Sequence, residues 1–157
     1  MPVSLTSLTA DLAATYTEVL RRNASHLNLT PSERDRTPEE HAAAWADPAE
    51  GNIRFAVLLD GRLIGRVDLD PVNPPKYSIG YWIDADHTGR GHATTAVALA
   101  VEHALDELGA TDVYAGVTHG NHTSVAVLHR NGFTRVADLG TYERFHLPLD
   151  GGPPRNP

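Results

Sequence analysis

The sequence contains no cysteine, a single lysine and no apolar run long enough to cross a bilayer. The first absence excludes disulfides, thiolate metal sites and a cysteine nucleophile. The second matters because Lys76 stands alone among 13 basic residues in a chain of formal charge −7. No basic block exists to meet a phosphate backbone, so nucleic acid is not expected as a partner. The third absence goes with a first stretch, MPVSLTSLTADL, that lacks the basic region of a signal peptide. A soluble, cytoplasmic protein with no membrane partner is expected. The nine histidines are scattered, and none of the short zinc spacings occurs, so no metal is expected. The acidic balance is compatible with a cationic substrate, but it is commonplace and weighs little.

What is present suits one domain. A chain of 157 residues at 41% hydrophobic content buries one core. The domain is expected over residues 1–150, followed by a disordered tail, GGPPRNP, at 151–157. VSL near the start suits a short strand. Thr9 to Arg22 reads as a helix, with Leu12, Tyr16, Val19 and Leu20 on one face. NASHLNLTPSERDR is polar and broken by Pro31, and reads as a bent loop. TPEEHAAAWADP opens on a capping box, Thr37 with Glu40, and has Pro38 at the first helical position; that helix ends near Pro48.

IRFAVLL and RLIGRVDLD form a hairpin about Asp60-Gly61. YSIGYWI is a third strand, and Gly80 inside it suggests a bulge or a close backbone approach. Ala93, Ala96, Val97, Ala100, Val101, Ala104, Leu105 and Leu108 then make a helical stripe that Gly109 stops. DVYAGVT is a buried strand, Thr123 to Arg130 a short helix, and FTRVADL with YERFHLPL a closing hairpin. The order of elements predicts an α/β (α+β) domain with one sheet flanked by helices.

Two constellations carry chemistry. The first is HTGRGHA, between the third strand and the long helix. Gly89 and Gly91 clear side chains from a helix N-terminus whose N–H groups and dipole attract anions, and Arg90 adds charge. The same glycines also suit a plain tight turn. No Gly-Lys-Ser/Thr follows, and G-x-G-x-x-G is incomplete. The second is Asn121-His122-Thr123-Ser124, followed by Leu128-His129-Arg130-Asn131-Gly132-Phe133. Asn121 can hold ligand amides and Ser124 can serve a leaving group, but Asn121, Thr123 and Ser124 equally suit helix capping.

Taken together, HLNL (26–29), IGYWI (79–83), HTGRGHATTAV (87–97) and N-x-x-S with RNGF (121–133) resemble the GCN5-related N-acetyltransferase (GNAT) family. The resemblance is closer to its branch of ribosomal-protein-type (RimJ/RimL-like) N-acetyltransferases. It covers nearly the whole chain and is weakest before residue 20. It implies a mixed, mostly antiparallel sheet that splays open between YSIGYWI and DVYAGVT, with acyl-CoA, most simply acetyl-CoA, in the opening. By the same resemblance the backbone of Trp82 and Ile83 would pair with the pantetheine arm. Thr88, Gly89, Arg90, Gly91, His92, Ala93 and Thr94 would hold the pyrophosphate, Asn121 would touch the pantetheine, and Ser124 would stabilise the departing thiolate. The sequence departs from the family where Thr88 replaces arginine or glutamine, in a first strand read as short or missing, and in a short final hairpin.

The implied activity is direct acyl transfer to a primary amine, with backbone N–H groups serving the oxyanion. A general base is needed, and His119, Asp68 and His26 are the candidates. His119 also reads as an exposed turn residue, and Asp68 as part of a solvated face with Arg66 and Asp70. His26 belongs to the loop that lines the acceptor site in the resembling branch, where it can instead anchor that loop. Trp45 and Tyr81 can shape the acceptor pocket or simply pack. The acceptor is expected to be a small-molecule amine or a protein N-terminal amine, and the chain a monomer or homodimer. Competing readings are a non-catalytic acyl-CoA-binding module, an acyltransferase with an altered donor acting on a biosynthetic or antibiotic-like metabolite, and an unrelated nucleotide-binding protein.

Overall fold

A computed structural model describes residues 2–47 and 53–149. The helix expected to end near Pro48 ends at Ala46, while Pro48 itself and the tail at 151–157 lie outside the described residues. The chain builds β1 (Val3–Ser7), α1 (Ala13–Arg22), α2 (Pro31–Arg34), α3 (Pro38–Ala46), β2 (Ile53–Leu59), β3 (Arg62–Pro71) and β4 (Lys76–Ile83). Then follow α4 (His92–Asp106), β5 (Asp112–Thr118), α5 (His122–Arg130), β6 (Thr134–Asp138) and β7 (Tyr142–Pro148).

The strands form one seven-stranded sheet in the order β1-β2-β3-β4-β5-β7-β6. Every pairing is antiparallel except β4 with β5. The first strand is therefore present in full, paired with β2 from Val3↔Leu59 to Ser7↔Phe55. Asp60 and Gly61 both adopt positive φ at the β2–β3 turn, as a tight hairpin requires.

Alternation along the strands feeds two cores, one on each face. Phe55 and Val57 of β2, Val67 and Leu69 of β3, and Ile79 and Ile83 of β4 pack under α4 and α5 with Ala96, Val97, Ala100 and Leu128. Ala56 and Leu63 face the other way and join Tyr16, Val19 and Leu20 of α1, with Trp45 and Trp82 beside them. A period of two puts neighbouring residues on opposite faces, so Trp82 and Ile83 belong to different cores.

Three local readings differ from the structure. The expected first helix begins as a short 3-10 turn, Ala10–Leu12, and becomes α-helical at Ala13. The expected bent loop contains α2, which Thr30 and Glu33 close with a capping box around Pro31. Gly80 marks neither a bulge nor a close approach: the β3–β4 register runs unbroken, and a Cβ on Gly80 would meet nothing nearer than Asp68 Oδ2 at 3.9 Å. The close approach is at Gly65, where a Cβ would collide with the backbone oxygen of Trp82 and lie 3.1 Å from Ile83 Cα. Among the described residues no helix is long and apolar enough to cross a membrane.

Candidate functional site

The site follows from how β4 meets β5. They pair only through Lys76↔Asp112, Tyr77↔Val113 and Ser78↔Tyr114. From Ile79 to Ile83 the β4 backbone has no partner strand on that side among the described residues, while β5 continues against β7. The gap opens at the carboxyl ends of the sheet's parallel pair, where open α/β sheets bind ligands.

At its mouth stands α4. Side chains cap α2, α3 and α5 through Thr30, Thr37 and Asn121. The cap position of α4 is Gly91 at φ 81°, which has no side chain to offer. The first amides of the longest helix are thus left for an external acceptor, at the positive end of its dipole. Cβ atoms on Gly89 and Gly91 would meet no protein atom within 4 Å, so the loop faces open space. That space is a cleft of about 670 Å³ lined by Ile83, by the loop from His87 to Thr94, and by His122, Thr123, Ala126, Val127 and Arg130 on α5. His87 Nδ1, His92 Nε2 and Thr94 Oγ1 are buried in its wall without hydrogen-bond partners. Arg90 and Arg130 are exposed at its rim.

The loop is braced from below. Asp84 donates its N–H to Ile64 O at 2.7 Å, and its carboxylate accepts from Asn23 Nδ2 at 3.0 Å and from the guanidinium of Arg22. Asn23 Oδ1 accepts in turn from Ala85 N at 2.9 Å. Burial of Asp84 opposes its ionisation, but these donors prevail and hold its pKa below the usual carboxylate value. Across the cleft, Asn131 Nδ2 donates to Thr94 O at 3.2 Å and to Val127 O at 3.0 Å, locking α5 against the start of α4.

A second cavity, about 480 Å³, lies beyond β4 and is lined by Tyr16, Leu20, Leu27, Leu29, Glu33, Arg36, His41, Arg66, Tyr81 and Trp82. Tyr81 connects the two sides. Its hydroxyl lies 2.6 Å from Ser124 Oγ and donates to Ser124 O at 3.3 Å. Burial raises the Tyr81 pKa more than the Ser124 contact lowers it, so the phenol keeps its proton at neutral pH.

The residues singled out in the sequence divide clearly. Ile83, Thr88, Gly89, Arg90, Gly91, His92, Ala93 and Thr94 line the first cleft, and Trp82 and Tyr81 line the second cavity. Asn121 is a cap, accepting from Ser124 N at 3.2 Å, whereas the Ser124 hydroxyl is engaged with Tyr81. His119 lines neither cavity; its Nε2 lies 2.9 Å from Asp138 Oδ1, on the β6 strand. Asp68 is not on a solvated face. It is 9% exposed and held between Arg66, 2.9 Å away, and Arg54, 3.6 Å away. Its burial raises its pKa against the pull of those arginines. His26 is exposed and outside the cavity, while Leu27 and Leu29 of the same stretch line it. Trp45 packs edge-on against Tyr16 at 5.0 Å and stacks on His41 at 5.8 Å. Reading the sequence missed Arg130, Arg36, Arg66 and His41 as lining residues. Only Arg130 carried a signal, as part of the quoted RNGF stretch.

An open sheet splayed at its one parallel pair, with an uncapped glycine-led helix at the mouth, is the architecture of an acetyltransferase fold. The chain belongs to the GNAT acetyltransferase family, whose domain model matches residues 3–134. It is similar to the probable N-acetyltransferase YjcK of Bacillus subtilis (strain 168), 40% identical over 77 residues. That match covers 47% of this chain and spans only 42% of the length of that relative. Mycobacterium smegmatis RimJ in complex with CoA-disulfide superposes with a TM-score of 0.84 at 22% identity, over 97% of this chain and 84% of that one. Spermidine N-acetyltransferase from Vibrio cholerae in complex with CoA and spermine does so with a TM-score of 0.78 at 20% identity, over 93% and 95% of the two chains. At these identities the superpositions speak for the fold.

Proposed function

We propose that this protein is an N-acyltransferase that moves an acetyl group from acetyl-CoA to a primary amine. The observation that carries the reading is the α4 N-terminus, left without a side-chain cap behind Gly89 and Gly91 and opening on a cleft with two rim arginines. These residues fit the anionic half of acyl-CoA: free amides and the buried Thr94 hydroxyl for the pyrophosphate, and Arg90 and Arg130 for further phosphate charge. The unpaired edge of β4 from Ile79 to Ile83, including the backbone of Trp82 and Ile83, fits an extended amide-bearing arm added like a strand. The side chain of Asn121 already serves as a cap, so its role toward that arm falls to its backbone.

In the reaction the amine nitrogen bonds to the acyl carbon, the carbon–sulfur bond breaks, and the amine proton leaves. Ser124, with Tyr81 behind it, supplies a hydrogen bond and a proton to the departing thiolate. No covalent enzyme intermediate is required, in keeping with a chain that has no cysteine. The acceptor amine is placed in the second cavity, which His119, Asp68 and His26 do not line, so its proton leaves through water rather than directly to one of them. Kinship to the RimJ/RimL-like branch and a cytoplasmic setting belong to the same proposal.

The test is calorimetric titration with acetyl-CoA, followed by counting released CoA thiol with an amine present. The protein itself adds no thiol background. Near-stoichiometric binding with amine-dependent thiol release supports the reading. Binding without release on a wide amine panel would make the chain a non-catalytic acyl-CoA-binding module.

A further inference from the structure

The acceptor cavity has an unusual charge pattern for this chain. The sequence holds 20 acidic residues, yet among the described residues Glu33 is the single carboxylate lining the cavity, and Glu33 Oε2 already accepts from Thr30 N at 3.0 Å. Two arginines, Arg36 and Arg66, line it. Arg66 is committed: Nη1 donates to Tyr16 Oη at 2.7 Å and Nη2 to Asp68 Oδ2 at 3.0 Å. Asp68 in turn is shared with Arg54. Arg36 makes no ion pair among the described residues. Its carbonyl accepts from Arg21 Nη2 at 2.9 Å, although Arg21 itself does not line the cavity.

Beside this cationic wall lies His41, 5% exposed on α3. Tyr16 meets its ring edge-on at 5.1 Å and Trp45 stacks on it at 5.8 Å. His41 lines the cavity, and its Nε2 is buried with no hydrogen-bond partner among the described residues. A buried polar atom without a partner is costly, and the cost is recovered when a ligand supplies one.

We propose that the acceptor is a primary amine that also carries a carboxylate, which is held by Arg36 and the free Nε2 of His41. The inference rests on the acyltransfer reading of the same site and names its substrate class. The carboxylate accepts from the guanidinium and from the imidazole N–H, and the apolar part of the acceptor lies along Leu20, Leu27 and Leu29. The amine end then points to Tyr81 and the cofactor side. A polyamine is disfavoured here, because one occupied carboxylate faces two guanidinium groups in the lining. The net acidity of the chain, which suits a cationic substrate, is therefore not the charge its acceptor meets.

The test titrates the CoA-loaded protein with matched pairs of amines that differ only as carboxylate and carboxamide, and with spermidine. The carboxylate member should bind about tenfold more tightly, the worth of one charge-assisted bond. Arg36→Gln should bring its affinity down to that of the carboxamide, whereas Arg135→Gln, at an exposed pair with Glu143, should preserve the preference. Equal affinities, tighter spermidine binding, or no binding by any carboxylate amine would each overturn the proposal. Failure of the acyltransfer reading is seen separately, as failure of the acetyl-CoA titration or of thiol release.

Discussion

The hydroxyls of Tyr81 and Ser124 lie 2.6 Å apart and bridge residues 43 positions distant in sequence. The contact joins β4, at a residue that lines the second cavity, to the first turn of α5, whose Thr123 lines the first cleft. In the proposed acyl transfer, a phenol that keeps its proton and bonds a serine hydroxyl would act as a proton relay. Ser124→Ala and Tyr81→Phe should each lower turnover roughly tenfold to hundredfold while acyl-CoA affinity stays nearly constant. Acting as one unit, they should lose no more together than singly. Wild-type turnover in Ser124→Ala would reduce the serine to a member of the α5 cap.

Gly65 and Gly80 make a paired prediction about the sheet that carries the site. Gly65→Ala places a methyl group against the Trp82 carbonyl, which is backbone and cannot rotate away. The expected loss is about 1–3 kcal/mol in urea unfolding, with weaker acyl-CoA binding because the Trp82–Ile83 edge shifts. Gly80→Ala meets Asp68 at an ordinary distance and should be nearly neutral. The opposite ranking would mean that the β3–β4 register is not as described.

These two glycines also show what the sequence could and could not reveal. A glycine inside a strand says that something approaches closely, but which strand neighbour crowds it depends on register, and register is a tertiary property. The glycine loop and the α4 stripe were legible because local chemistry makes them: positive φ at Gly91 and a helical period behind it. The capping box of α3 was legible for the same reason. Its twin at Thr30 to Glu33 carried the same signal but closes a helix of four residues with no apolar stripe to announce it. The position of His119 was not legible from its neighbours in sequence. His119 stands two residues before Asn121 in sequence, yet strand β5 carries it to the β6–β7 hairpin. His41 and Arg66 reach the second cavity only through packing of α3 and β3 around Tyr16.

Gly91 separates conformation from charge. Alanine there must adopt φ near 81°, which costs about 1–2 kcal/mol of stability. Space is not limiting, since a Cβ meets nothing within 4 Å. Aspartate tolerates the left-handed region at least as well as alanine, so the two variants carry a similar backbone cost. Gly91→Asp should nevertheless abolish acyl-CoA binding in calorimetry, while Gly91→Ala weakens it modestly. Equal affinities in the two variants would place the phosphates away from the α4 N-terminus.

His41 gives the fold a pH dependence with a definite sign. Burial, and then the fields of Arg36, Arg66 and Arg21, lower its pKa from 6.5 to about 4. Above the unfolded value both states hold a neutral ring, and His41 contributes nothing to the pH dependence. As pH falls from 6.5 toward 4 the unfolded chain takes up a proton that the folded chain refuses, so stability is lost across that window. The loss is on the order of 3 kcal/mol when complete. His41→Phe keeps the ring contacts to Tyr16 and Trp45 and removes the titration. Its urea-unfolding stability should therefore fall less than that of the parent chain between about pH 7 and about pH 5. Parallel curves would mean that the folded imidazole protonates as readily as the unfolded one. An acceptor carboxylate against Nε2 opposes the same burial and arginine fields, so its binding should raise the His41 pKa and shrink this window.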